Sequence, residues 1–281
     1  MNKTYSYKET YVFYSELTRI NGDTYKKRAL GLVESSLTYL CHELNRCGKE
    51  VIVFCDTSEP GIFDGVRYEH FKRFSLFAAR NIVDVFIAVQ NPSVFMVDVK
   101  ARVRALWLLD VADGPYASLL EDNVLKEKID YIVAVSEGQK RELVKRYKFR
   151  PELIFLSRVG IKKSLYNTIR GKRKKRIVYT ASPFRGLDFM LEIFPEIRRQ
   201  CPGAELVVYS GMDRYGFSDE DDKKAFGRLY EKCEGKGIRL KKSIPHTSLS
   251  RELMCASVLA YPHSIREASN RSEERRVGER V

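Results

Sequence analysis

Histidine and cysteine are sparse in this 281-residue chain, with four and six copies. The cysteines Cys41, Cys47, Cys55, Cys201, Cys233 and Cys255 form no CxxC pair and have no histidine at ligand spacing. A zinc site and a disulfide framework are both excluded, and the cysteines read as reduced thiols. Long apolar runs are missing too. None approaches the roughly 20 residues that span a bilayer, and Met1–Tyr5 leads into polar sequence instead of a signal-peptide hydrophobic region. The expected location is cytoplasmic. Glycine-rich phosphate loops are also absent: only Gly22 and the distant Gly31 follow the first strand candidate, so no G-x-G-x-x-G fingerprint is formed. No GxxxxGK[ST], G-x-S-x-G or H-E-x-x-H occurs either. Nicotinamide enzymes, classical kinases, serine hydrolases and zinc proteases fall away.

Hydrophobic residues make up 44% of the sequence, enough for real cores, and the formal charge is +13. The charge attracts anions. Phosphorylated small molecules, nucleic acid and an acidic membrane surface all meet that description, but no aromatic-plus-basic nucleic-acid motif accompanies it, so no specific nucleic-acid partner is expected.

Short β-branched runs alternate with longer amphipathic stretches, the pattern of βα units and a parallel sheet. Strands are predicted at 11–14, 51–55, 83–89, 104–109, 131–135 and 153–156. The basic run Arg170–Arg176 follows, read as a solvated linker. Strands then resume at 177–180, 206–210, 238–240 and 258–261. A helix is predicted from Leu32 to Arg46, with Leu37, Leu40 and Leu44 on one face and Gly48 just past its end as C-cap. A second runs from Leu187 to Gln200, with Phe189, Ile193, Phe194 and Ile197 packed inward and Pro202-Gly203 stopping it. The expected domains are 1–168 and 175–270.

The most specific stretch is Tyr179–Leu187, YTASPFRGL, where a strand ends in small residues before Arg185-Gly186 opens a helix. With PGAELVVYSG at 202–211, the segment Ile238–Pro245 and LMCASVLAYPHSIREASN at 253–270, it resembles the retaining glycosyltransferases of the group 1 or family 4 type. That resemblance, spanning about residues 10–270, implies an α/β fold of two Rossmann-like domains facing each other across a cleft (GT-B type). It implies a nucleotide-sugar donor, sugar transfer with retention of configuration, no cofactor and no essential metal. The acceptor, whether glycan, lipid or protein, stays open, as does peripheral contact with the inner membrane face. An inactive nucleotide-sugar-binding relative and a basic nucleic-acid binder are the competing classes.

Residue roles follow from the same resemblance. Arg185 would approach the donor diphosphate together with amides at the helix start, its fixed fork of donors suiting a phosphate. Ser182, Gly186, Gly211 and Ile244 would line the donor. Glu267 would contact the transferred sugar as the first member of a Glu-x7-Glu motif, but Arg275 stands where the second glutamate belongs. In the first half, Gly31 and Glu34 of GLVESS resemble a GG-x-E helix start with Leu32 in place of the second glycine. ALWLLD ends in Asp110, with Leu109 where that segment often has histidine. These three are the acceptor-side candidates. Ser136 reads as a helix N-cap. Beyond Asn270, RSEERRVGERV matches neither the resemblance nor a helix start, and resembles translated adapter sequence. The second domain is therefore expected to be truncated, with a disordered tail over 271–281.

Overall fold

A computed structural model describes residues 7–166, 175–262 and 268. In chain order the elements are β1 (Thr10–Ser15), α1 (Thr24–Lys27), α2 (Leu32–Arg46), β2 (Glu50–Cys55), β3 (Gly61–Phe63), β4 (Val66–His70), α3 (Phe74–Arg80), β5 (Val83–Val89), β6 (Ala101–Trp107), α4 (Asn123–Glu127), β7 (Tyr131–Ala134), α5 (Glu137–Tyr147) and β8 (Ile154–Leu156). They continue with β9 (Arg176–Tyr179), α6 (Leu187–Gln200), β10 (Glu205–Tyr209), α7 (Asp219–Glu231), β11 (Ile238–Lys241), α8 (His246–Met254) and β12 (Val258–Leu259). The described residues divide into two compact units, one built on residues 7–23, 32–161 and 268, the other on 24–31, 162–166 and 175–262.

The first unit holds an eight-stranded sheet in the order β3-β4-β2-β1-β5-β6-β7-β8. Every pairing is parallel except β3 with β4. Parallel strands are covered on both faces, so β2 reads as an unbroken apolar run with five buried residues in a row. The core centres on packed aromatics: Phe74 stacks on Phe86 at 5.1 Å and meets Phe54 edge-on at 5.2 Å, and Phe86 meets Phe95 edge-on at 5.5 Å. Ser136 caps α5 by accepting from the Gln139 amide at 3.1 Å.

Three sequence expectations need correction here. The β3–β4 hairpin was not anticipated. Its turn is Asp64-Gly65, both at positive φ as the tight hairpin turn demands. On α2, Leu37 is fully buried but Leu40 is exposed, because the buried face runs through Thr38, Cys41 and His42, residues too small or polar to advertise it. Strand β6 begins at Ala101 instead of Arg104, its first half being only partly covered. Gly65 also gives a prediction. A Cβ there would lie 2.3 Å from the Asn45 Oδ1, and φ is +81°. Gly65→Ala should therefore cost more than about 1 kcal/mol, read by thermal melting, whereas Gly48→Ala meets open space and pays only for its positive φ.

The second unit is a four-stranded parallel sheet, β11-β10-β9-β12. Side chains alternate across it as the pleat requires. Ile177, Tyr179, Leu206 and Val208 pack under α6 on Leu187, Met190, Leu191 and Phe194, while Val178, Val207 and Tyr209 meet Ala256, Leu249, Leu253 and Ile244 on the other face. Within α6 the expected stripe is wrong at Phe189, which is 54% exposed. The helix buries the row one step round, through Met190 and Phe194. The basic run also departs from a plain linker at its end: Arg176 is the first residue of β9 and is buried between Glu252 and Glu205, at 3.0 and 3.6 Å. Residues 170–174 lie outside the described residues, as do Glu267, Arg275 and the tail at 271–281.

Candidate functional site

In an open parallel sheet, ligands collect beyond the carboxyl ends of the strands, where the strand order reverses. In the second unit that point lies between β9 and β12, since the chain steps outward from β9 to β10 and β11 before returning to β12 on the other side. The sequence-predicted loop Thr180–Gly186 leaves β9 there. Its shape is fixed by internal bonds: the Tyr179 hydroxyl donates to the Ser182 carbonyl at 2.8 Å, and the Arg185 amide donates to the same oxygen at 3.0 Å. Ser182 is fully buried, so it shapes the loop from inside. Gly186 takes a left-handed conformation, φ +89° and ψ 23°, as the N-cap of α6, and no side chain caps that helix start. A Cβ-bearing residue would strain this turn.

Arg185 crosses the reversal point. Its Nη1 donates to the hydroxyl of Tyr261, just past β12, at 3.2 Å. The guanidinium also lies 5.5 Å from the Phe184 ring, which meets Tyr215 edge-on at 5.7 Å. Partial burial alone would push the Arg185 pKa down, but hydrogen bonding to Tyr261 and the Tyr215 hydroxyl outweighs it, and the group stays a fixed cation. Next to this loop, Ser210 Oγ donates to the Ala181 carbonyl at 2.7 Å and ties the end of β10 to it. Gly211 follows, with the carboxylates of Asp213 and Asp222 and the Ser243 hydroxyl within 3.6 Å of where its Cβ would stand. Asp222 is held by the Met212 amide at 3.0 Å and the Tyr230 hydroxyl at 2.8 Å. Arg185, Ser182, Gly186 and Gly211 therefore gather at one sheet edge. Ile244 packs, partly buried, on the face of the sheet that carries Leu249 and Leu253.

In the first unit the reversal lies between β1 and β5. Asn91, after β5, donates its side-chain amide to Glu16, after β1, and the Tyr14 hydroxyl donates to the other Glu16 oxygen at 2.7 Å. Burial and this bond push the Tyr14 phenol upward, so it remains a donor. Gln90 sits at φ +69° with its side-chain oxygen accepting from the Leu109 amide at 2.7 Å. Asp110 is exposed past β6, one carboxylate oxygen accepting from the Val111 amide at 2.8 Å, and its carbonyl is held by Gln139. Gly31 directly precedes α2, and Glu34 sits in that helix's first turn, half-buried. Glu16, Asn91, Tyr215 and Tyr261 were not singled out from sequence. Among the described residues, no group of three His, Cys, Asp or Glu side chains could hold a metal ion, and no helix is long and apolar enough to cross a membrane.

No protein-family model and no curated protein matches the sequence. Solved structures do match. Sucrose-phosphate synthase from Thermosynechococcus elongatus superposes with a TM-score of 0.68 at 13% identity, over 94% of this chain and 78% of its own. Anabaena HepE, solved in complex with UDP-glucose, gives 0.65 at 13% identity over 94% and 76%. A catalytic domain of starch synthase IV from Arabidopsis thaliana, bound to ADP and acarbose, gives 0.60 at 10% identity over 95% and 80%. Both sheets, their strand orders and these likenesses agree: the chain has the α/β fold of the GT-B glycosyltransferases, with two Rossmann-like units.

Proposed function

We propose that this protein transfers a sugar from a nucleotide-sugar donor to a glycan, lipid or protein acceptor, with retention of configuration, as in the group 1 or family 4 enzymes it resembles. The observation that carries the reading is the half-buried Arg185, fixed across the strand-order reversal by Tyr261 and followed at once by the uncapped start of α6. A cation and a helix start without a side-chain cap, on one edge, suit a leaving diphosphate, whose growing charge they would stabilise without solvent having to reorganise. Ser182 and Gly186 hold the loop in shape, Gly211 would line the donor, and Glu267 would meet the transferred sugar. Glu34 and Asp110 are assigned to the acceptor side. The bound UDP-glucose and ADP of two structural neighbours favour the same donor class.

The test is a panel of nucleotide sugars, with release of nucleoside diphosphate measured with and without mixed glycan and lipid acceptors. Turnover of one donor, stimulated by acceptor, is expected. Saturating chelator should leave the rate unchanged, because Arg185 and the helix amides take the role a cation would otherwise fill. If no donor is turned over or bound, the proposal fails; abolition by chelator with recovery on adding Mn²⁺ or Mg²⁺ would overturn the metal-free part alone. Tyr261→Phe, which removes one anchor of Arg185, should weaken donor binding several-fold and leave folding intact.

A further inference from the structure

The second unit carries another concave site, at the opposite edge of its sheet from Arg185. A cavity of about 390 Å³ is lined by Lys175, Arg176, Gly203, Glu205 and Arg239. These residues stand at or just before the amino ends of three adjacent strands, with Glu205 of β10 in register with Arg176 of β9. Three cations against one carboxylate leave the lining net positive. The carboxylate is already engaged: Glu205 receives Arg239 Nη2 at 2.5 Å and faces Arg176 Nη2 at 3.6 Å. Lys175 Nζ donates to the Pro202 carbonyl at 3.3 Å, which occupies one of its three donors.

Arg176 supplies the second observation. It is 9% exposed, and Glu252 takes its Nη1 at 3.0 Å, yet its buried Nε has no acceptor. A buried donor left unpaired is costly, and native structures rarely leave one without a partner. The same guanidinium lines the cavity, so an anion bound there would stand beside it. Gly203, at φ +85°, has open space where a side chain would project.

From these observations we infer that this edge binds a small phosphorylated molecule, with the phosphate held by Arg176, Arg239 and Lys175. Two guanidiniums and an ammonium match a tetrahedral dianion better than a single carboxylate, since their remaining N–H groups make charge-assisted hydrogen bonds to phosphate oxygens. A cavity of this size suits a small molecule. The site lies at the opposite ends of the strands from Arg185 and is independent of the donor reading.

Thermal melting of the full chain in inorganic phosphate, with sodium chloride at matched ionic strength as control, tests it. The proteins to compare are the wild type, Arg185→Ala, and Arg185→Ala combined with Lys175→Ala and Arg239→Gln, two side chains that can be lost without opening the core because both are exposed at the strand ends. Phosphate should raise the Tm of the wild type and of Arg185→Ala by several degrees more than chloride does, and the gain should vanish in the triple variant. No phosphate-specific gain in the wild type, a gain that persists in the triple variant, or one that disappears with Arg185→Ala alone would each overturn the assignment.

Discussion

Arg185→Ala should lower sugar transfer by on the order of 10²-fold or more, the usual cost of removing one preorganised charge stabiliser from a transition state. The loss should fall on kcat as well as on donor affinity, because the leaving diphosphate carries more charge in the transition state than the bound donor does. Folding should be little affected: the side chain is half-buried at a loop edge, where it meets Tyr261, Tyr215 and Phe184. Arg185→Lys should recover only part of the rate. A lysine restores the charge but not the planar fork that can engage Tyr261 and a phosphate together. Steady-state rates of nucleoside diphosphate release for the three proteins give the answer, and an unchanged rate in a folded alanine variant removes Arg185 from the mechanism.

The largest expected effect on stability is at Phe86. It is fully buried and touches Phe74 and Phe95 at ring distances of 5.1 and 5.5 Å. Phe86→Ala would remove an aromatic ring from the centre of the first unit's core and leave a cavity its neighbours on parallel strands cannot close, at a cost of about 3–5 kcal/mol. For a unit of this size that corresponds to a fall of roughly 6–20 °C in its melting transition. Phe189→Ala is the contrasting case: on the exposed side of α6 it should change stability by no more than about 0.5 kcal/mol. Equal destabilisation by the two would mean that the burial pattern of α6 is misassigned. Melting followed by circular dichroism distinguishes them.

Where the sequence was legible, the reason was local. Helix α6 runs from Leu187 to Gln200 as expected, and strand β5 from Val83 to Val89, because each has a clear apolar period and a clear stop. The hairpin β3–β4 was missed although Asp64-Gly65 is a hairpin turn signal, since three residues, Gly61–Phe63, are too few to display an alternation. Leu40 and Phe189 were misplaced for a different reason. Both helices carry apolar residues on more than one side, and which row faces the sheet is decided by packing on distant strands.

The candidate site divides the same way. The loop Thr180–Gly186 could be found because its small residues, proline and glycine are contiguous. Its anchor could not: Tyr261 lies 76 residues beyond Arg185, and nothing local marks the pair. Arg176 shows the converse error. At the end of a basic run it looks like linker, but Glu205 and Glu252, brought in from other elements, make it a buried strand residue.

Calorimetric titration of the wild type and Arg185→Ala with UDP and with ADP tests the central claim most directly. One of the two nucleotides should bind the wild type with a single site, and Arg185→Ala should lose at least tenfold in affinity, about 1.4 kcal/mol. Absence of binding by either nucleotide, or equal binding to both proteins, would contradict a donor diphosphate held at the β9–α6 loop.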